Sequence, residues 1–125
     1  MDAFSRAIIT SRAVGSVAVF AIEGDFSVTT SPLPTLHELV KEETAKGVRQ
    51  VLLNFDKGGF VDSFGIGQMI ASYKSLQSLG GMLKLCAVPS KLLALLVITG
   101  IVPRVLSAYP TEEAALEAFA ARPAT

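Results

Sequence analysis

Short apolar runs closed by turn residues alternate with longer amphipathic stretches along this chain, and that alternation limits its fold more than any other feature. Residues 7–10 and 16–22 predict two strands meeting at a turn around Gly15, with Glu23-Gly24-Asp25 closing the second. Ser31-Pro32-Leu33-Pro34 predicts a helix start, with Ser31 as N-cap and both prolines in the first turn, where a missing N–H costs nothing. Leu33, Leu36 and Val40 then recur at helical spacing, Glu38, Lys41, Glu42 and Lys46 lie opposite, and Gly47 ends the helix. Residues 48–56 predict a strand whose centre, Val51-Leu52-Leu53, is continuously apolar, as in a strand covered on both faces. A second helix spans about 63–79 and stops at Gly80-Gly81. Residues 82–87 form the next strand, 89–99 a third helix with Gly100 behind it, 104–109 a short strand and 111–121 a last helix capped by Thr111. Strands alternating with helices imply right-handed βαβ crossovers. The expectation is one α/β domain over 1–125, its core at about 15–120, with a mostly parallel sheet, an N-terminal antiparallel edge and helices packed against it.

Composition then removes function classes. With 125 residues, the chain suits one domain with a real core. Eleven basic and eleven acidic side chains, with no basic run, argue against nucleic acid as a partner. One cysteine, Cys86, excludes an internal disulfide or multi-cysteine zinc site, and its apolar surroundings read as a buried structural thiol. Residues 92–98 are the longest apolar run, well short of the ~20 a membrane span needs. The opening residues lack the basic-then-apolar pattern of a leader, so the cytoplasm is the expected compartment.

Catalytic readings fail in turn. The single histidine, His37, falls beside Glu38 on the polar side of the first helix and reads as a solvated surface residue. No glycine-rich loop is followed by a lysine, and Gly65-Ile66-Gly67 lacks the third glycine of a dinucleotide fingerprint. Asp56 and Asp62 have no third ligand beside them and read as cap and turn residues. No enzyme activity, cofactor or metal is expected.

The stretch Phe60-Val61-Asp62-Ser63-Phe64-Gly65-Ile66-Gly67 differs, because two apolar residues deliver the chain to an Asp-Ser pair where a helix begins at once. At about 100° per residue, Ile66, Met69, Ile70, Tyr73 and Leu76 share the side expected to be buried. Phe64, Gln68, Ala71, Ser75 and Ser78 share the other, a face free of long charged side chains, as if cleared for a partner. Gly67 stands at its margin, where a mid-helix glycine costs about 1 kcal/mol relative to alanine and hints at close approach. Asp62-Ser63 is equally readable as a plain N-cap pair. The third helix carries apolar residues nearly all round, so Leu93, Val97 and Ile101 are expected to form an exposed patch for self-association or docking.

The order strand, Asp62-Ser63-Phe64-Gly65-Ile66-Gly67, amphipathic helix, Gly80-Gly81, strand resembles the STAS domain of anti-sigma-factor antagonists. Thr99-Gly100-Ile101 is similar to that family's Thr-Gly-Leu, and residues 109–116 to its closing strand and Glu-Glu-Ala-Leu helix. The resemblance covers about 15–119. It implies a non-enzymatic regulatory protein in which Ser63 is phosphorylated by a partner anti-sigma factor with serine kinase activity, and a phosphatase reverses the mark. By position it implies a partner surface of Asp62, Ser63, Phe64, Gly67, Gln68 and Ala71. The loop at Ser27 joins that surface, with serine standing where the family carries a partner-facing aspartate. The second functional class left open is an unphosphorylated scaffold docking into a larger signalling or transporter-associated complex. The third, a small-ligand or nucleotide sensor, has no supporting motif beyond the fold.

Overall fold

The computed structural model describes residues 6–121. Strands β1 (Ile8–Val14) and β2 (Val17–Phe26) form an antiparallel hairpin across Gly15, whose φ of +59° suits the tight turn. After α1 (Leu36–Ala45), strand β3 (Gln50–Asn54) pairs parallel to β2, and β5 (Met82–Cys86) parallel to β3. Strand β6 (Ser107–Tyr109) closes the far edge, giving the order β1-β2-β3-β5-β6. Helix α2 (Ser63–Ser78) connects β4 (Gly58–Val61) to β5. Helices α3 (Ser90–Ile98), α4 (Ile101–Arg104) and α5 (Glu112–Ala120) follow.

Both faces of the sheet are covered, which is why β3 tolerates three consecutive apolar residues. Val51 and Leu53, with Ala18, Phe20, Ile22, Leu83 and Leu85, meet Leu36 and Val40 of α1, Met69 and Leu76 of α2, and Leu92 and Leu96 of α3. On the opposite face, Leu52, Val17, Val19 and Cys86 meet Ala115 and Phe119 of α5. Burial pushes the Cys86 thiol up to about 11, with Glu112 adding to the shift, so it stays protonated and inert at neutral pH. Helix α5 is also tied by polar contacts: Glu112 pairs with Arg12 of the edge strand β1 and accepts from Asn54 Nδ2 at 3.0 Å.

Some boundaries move, each for a physical reason. Glu23-Gly24-Asp25 does not close β2. Gly24 takes a φ of +82°, the register shifts there, and the strand leaves β3 to pair with the short strand β4, which the sequence did not announce. Phe26 is thereby fully buried. β1 also runs four residues beyond Thr10 through Ser11 and Arg12, because an edge strand needs pairing more than burial. Ser31 does not cap α1. Thr35 does, accepting from Glu38 N at 3.2 Å while its own N–H donates to Glu38 Oε1 at 2.9 Å, a reciprocal box that outweighs a lone serine. Both prolines therefore precede the helix, and Leu33 is exposed rather than inward.

Candidate functional site

Strand β4 ends at buried Val61, and the next residue, Asp62, is the N-cap of α2. Its carboxylate is divided between two elements. Oδ1 accepts from Gly65 N at 3.0 Å, satisfying the first turn, and Oδ2 accepts from Val28 N at 3.1 Å, holding the segment after β2 against the helix. Asp62 N in turn donates to Phe26 O at 3.3 Å. Ser63, the first helical residue, is exposed and takes no part in these capping bonds. Within the Asp-Ser pair, the cap is Asp62 alone.

The glycines at this helix start have opposite characters. A Cβ on Gly65 would stand 2.6 Å from Phe26 O and 2.6 Å from Val61 Cγ1, so only glycine lets the first turn approach the end of β2 this closely. A Cβ on Gly67 would meet nothing within 4 Å. Gly67 is exposed, one turn beyond Ser63, on the outermost stripe of the helix with Lys74 and Gln77.

The rest of the expected outward face is only partly open, with Ser78 exposed at its far end. Gly65, Met69, Ser72 and Leu76 form the buried stripe, and the buried Ser72 hydroxyl is satisfied by Gln68 O at 2.8 Å. Phe64, Gln68, Ala71 and Ser75 are half-buried on a flank that carries polar contacts to α1. His37 N donates to Gln68 Oε1 at 3.0 Å, and His37 Nε2 meets Ser75 Oγ at 2.7 Å. His37 is accordingly a helix–helix contact residue and not a solvated one. Partial burial, followed by the charge of Lys41, holds its pKa below the ordinary histidine value against a smaller pull from Glu38.

Ser27 is buried. Its hydroxyl lies 3.0 Å from Thr30 Oγ1 and 3.2 Å from Thr29 Oγ1, and its N–H donates to Thr30 Oγ1 at 2.9 Å. It shapes the loop that Asp62 holds, while neighbouring Val28 is the exposed side chain. Phe60 of β4 is also exposed, at 64 %. The signal for it was in the sequence: strand side chains alternate, and Val61 pointing inward sends Phe60 outward. On α3, Val97 is exposed as expected. Leu93 and Ile101 are half-buried, and the patch is completed by Leu95 and by Ile98, which is 82 % exposed. No helix among the described residues is long and apolar enough to cross a membrane.

The family model for the STAS domain matches residues 9–115. An anti-sigma factor antagonist from Mycobacterium paratuberculosis is similar in structure, at a TM-score of 0.82 and 19 % identity over 97 % of this chain and 100 % of that one. The anti-sigma factor antagonist SpoIIAA in its unphosphorylated form superimposes at a TM-score of 0.71 and 17 % identity, covering 92 % of this chain and 100 % of that one. The phosphorylated form of SpoIIAA, a Bacillus cell fate determinant, gives a TM-score of 0.70 and 18 % identity, covering 90 % and 99 %.

Proposed function

The chain belongs to the STAS domain family, and on that premise we propose that it is a protein-binding switch of the anti-sigma factor antagonist type, turned off by phosphorylation of Ser63. Its partner in this reading is an anti-sigma factor with serine kinase activity, a phosphatase restores the free hydroxyl, and the chain acts in the cytoplasm without catalysing a reaction of its own. The observation that carries the reading is the division of labour at the start of α2. Asp62 does the capping, so Ser63 offers an exposed hydroxyl that can be esterified without unpicking the helix. The partner surface is built from Asp62, Ser63, Phe64, Gly67, Gln68 and Ala71, with Ser27 setting the loop behind Val28.

A phosphoserine carries about −1.5 to −2 charge. At a helix N-terminus that charge is tolerated by the dipole and the first N–H groups. Pressed into an interface beside Asp62, it must lose water next to a like charge. A thousandfold loss of affinity needs only about 4 kcal/mol, and such a burial supplies that readily.

Incubating the protein with candidate kinases and ATP, followed by intact-mass and phosphopeptide analysis, tests the proposal. A single phosphate on Ser63, absent from Ser63→Ala, supports it. Phosphate on another residue, or none with a cognate kinase, sinks it. The exposed apolar side of α3 favours a second reading, a scaffold that self-associates or docks through Leu93, Val97 and their neighbours without any phosphate. Light scattering that finds a dimer in wild type, lost in Leu93→Lys/Val97→Glu, would favour that one.

A further inference from the structure

Between β4 and the start of α3 runs a groove of about 510 Å³ that none of the residues of the switch surface lines. Val61 and Leu92, both nearly inaccessible, belong to its apolar lining; exposed Phe60 and Leu95 rise beside them, and Gly59, Pro89, Ser90 and Lys91 complete it. Its two ends differ in charge. At the β4 end the exposed Asp25 carboxylate accepts the Phe60 N–H at 2.8 Å and keeps its negative charge. At the α3 end the N-cap is Pro89, which offers no side-chain acceptor, so the amino end of the helix keeps its positive character. Lys91 stands there too. The two ion pairs among the described residues are Arg12–Glu112 and Lys46–Glu43, so Lys91 pairs with none of the described acids.

We propose that this groove receives an acidic segment of the partner protein, an apolar side chain settling between Phe60 and Leu95 with a neighbouring carboxylate against Lys91 and the start of α3. The inference rests on the switch reading and adds to it the chemistry of the bound segment. Phe60 lies three residues before Ser63, so their Cα atoms are no more than about 11 Å apart. One partner can therefore reach the groove and the Ser63 surface together.

The test uses the full chain, labelled with ¹⁵N, and two synthetic peptides: acetyl-Glu-Leu-Leu-Glu-Glu-amide and its counterpart with lysine for every glutamate. The acidic peptide is expected to shift the amide signals of 59–61 and 90–95 and to bind about tenfold more tightly than the basic one, the size of exchanging a surface attraction for a repulsion. Lys91→Glu should erase that preference. Leu95→Ala, on an exposed side chain that leaves folding intact, should weaken both peptides. Equal affinity for the two, shifts confined to other residues, or no shift at millimolar peptide would overturn the proposal. So would shifts at 59–61 and 90–95 that follow protein concentration without peptide, since they would give the groove to a second copy. Ser63 phosphorylation is read separately by mass, so a failed groove and a failed switch leave different records.

Discussion

Helices α2 and α3 each follow a strand and cover the same face of the sheet, yet they begin in opposite ways. The start of α2 is over-determined. Asp62 caps it and reaches across to Val28, and Gly65 is wedged against Phe26 and Val61. The start of α3 has a proline for a cap, no side-chain hydrogen bond, and a flank of Leu95, Val97 and Ile98 turned to solvent. A residue meant to be modified without disturbing its surroundings gains from the first arrangement, because the new charge meets a frame that does not move. A surface meant to meet a partner gains from the second, since the cap supplies no acceptor to the first N–H groups and the apolar flank stands open.

From this contrast, the largest stability effect is expected from Gly65→Ala. The added methyl must displace backbone oxygen, and overpacking of this kind costs about 1–3 kcal/mol. Urea unfolding checks it; an unchanged midpoint would mean that α2 is as loosely seated as α3. Asp62→Ala comes next, at about 1–2 kcal/mol, because it removes a cap and the tie to Val28 together. Pro89→Ser, which offers α3 the side-chain acceptor it lacks, should move stability the other way by about 0.5–1 kcal/mol in the same assay. Equal and opposite effects would mean that the Val28 tie adds nothing to the cap. Gly67→Ala should stabilise the domain by up to about 1 kcal/mol, since the site is helical, exposed and empty of neighbours. If the stabilised variant also binds the partner less well, Gly67 belongs to the interface.

The finest test is pH. Folding holds the His37 pKa below its unfolded value, so its contribution is fully present above about pH 6.5. It is lost as pH falls through that value towards the lower folded pKa, where the folded state must take up a proton between α1 and α2. Thermal melts from pH 7.5 to 5 should therefore show a steeper decline for wild type than for His37→Gln. Parallel curves would remove His37 from the helix–helix contact.

What could be read beforehand divides along the same line between local and tertiary causes. Thr111 as the cap of α5, Gly47 and Gly100 as helix stops, and the doubly covered β3 all rest on signals a few residues long, and all hold. The start of α1 was also locally written, in Thr35 and Glu38, but Ser31 and the prolines drew the boundary too early. The outward face of α2 was not written locally. Helical phase arranges residues around an axis, but only the position of α1 decides that Gln68 and Ser75 are used by His37. The place of Asp62 and Ser63 at a helix start was legible because a strand-to-helix junction is a local pattern. The burial of Ser27 was missed because it depends on three hydroxyls folding back on one another.

The pairing of Arg12 with Glu112 bears on something other than fold or switch. β1 is an edge strand, with its outer row of backbone donors and acceptors available to any other extended chain. A long charged side chain in the middle of such a strand, anchored to a helix on the sheet's second face, makes stacking of a second strand costly because the charge would have to be buried or moved. The contact that fastens α5 is thus also a guard against fibre growth, and it lies on the sheet face opposite α2 and α3.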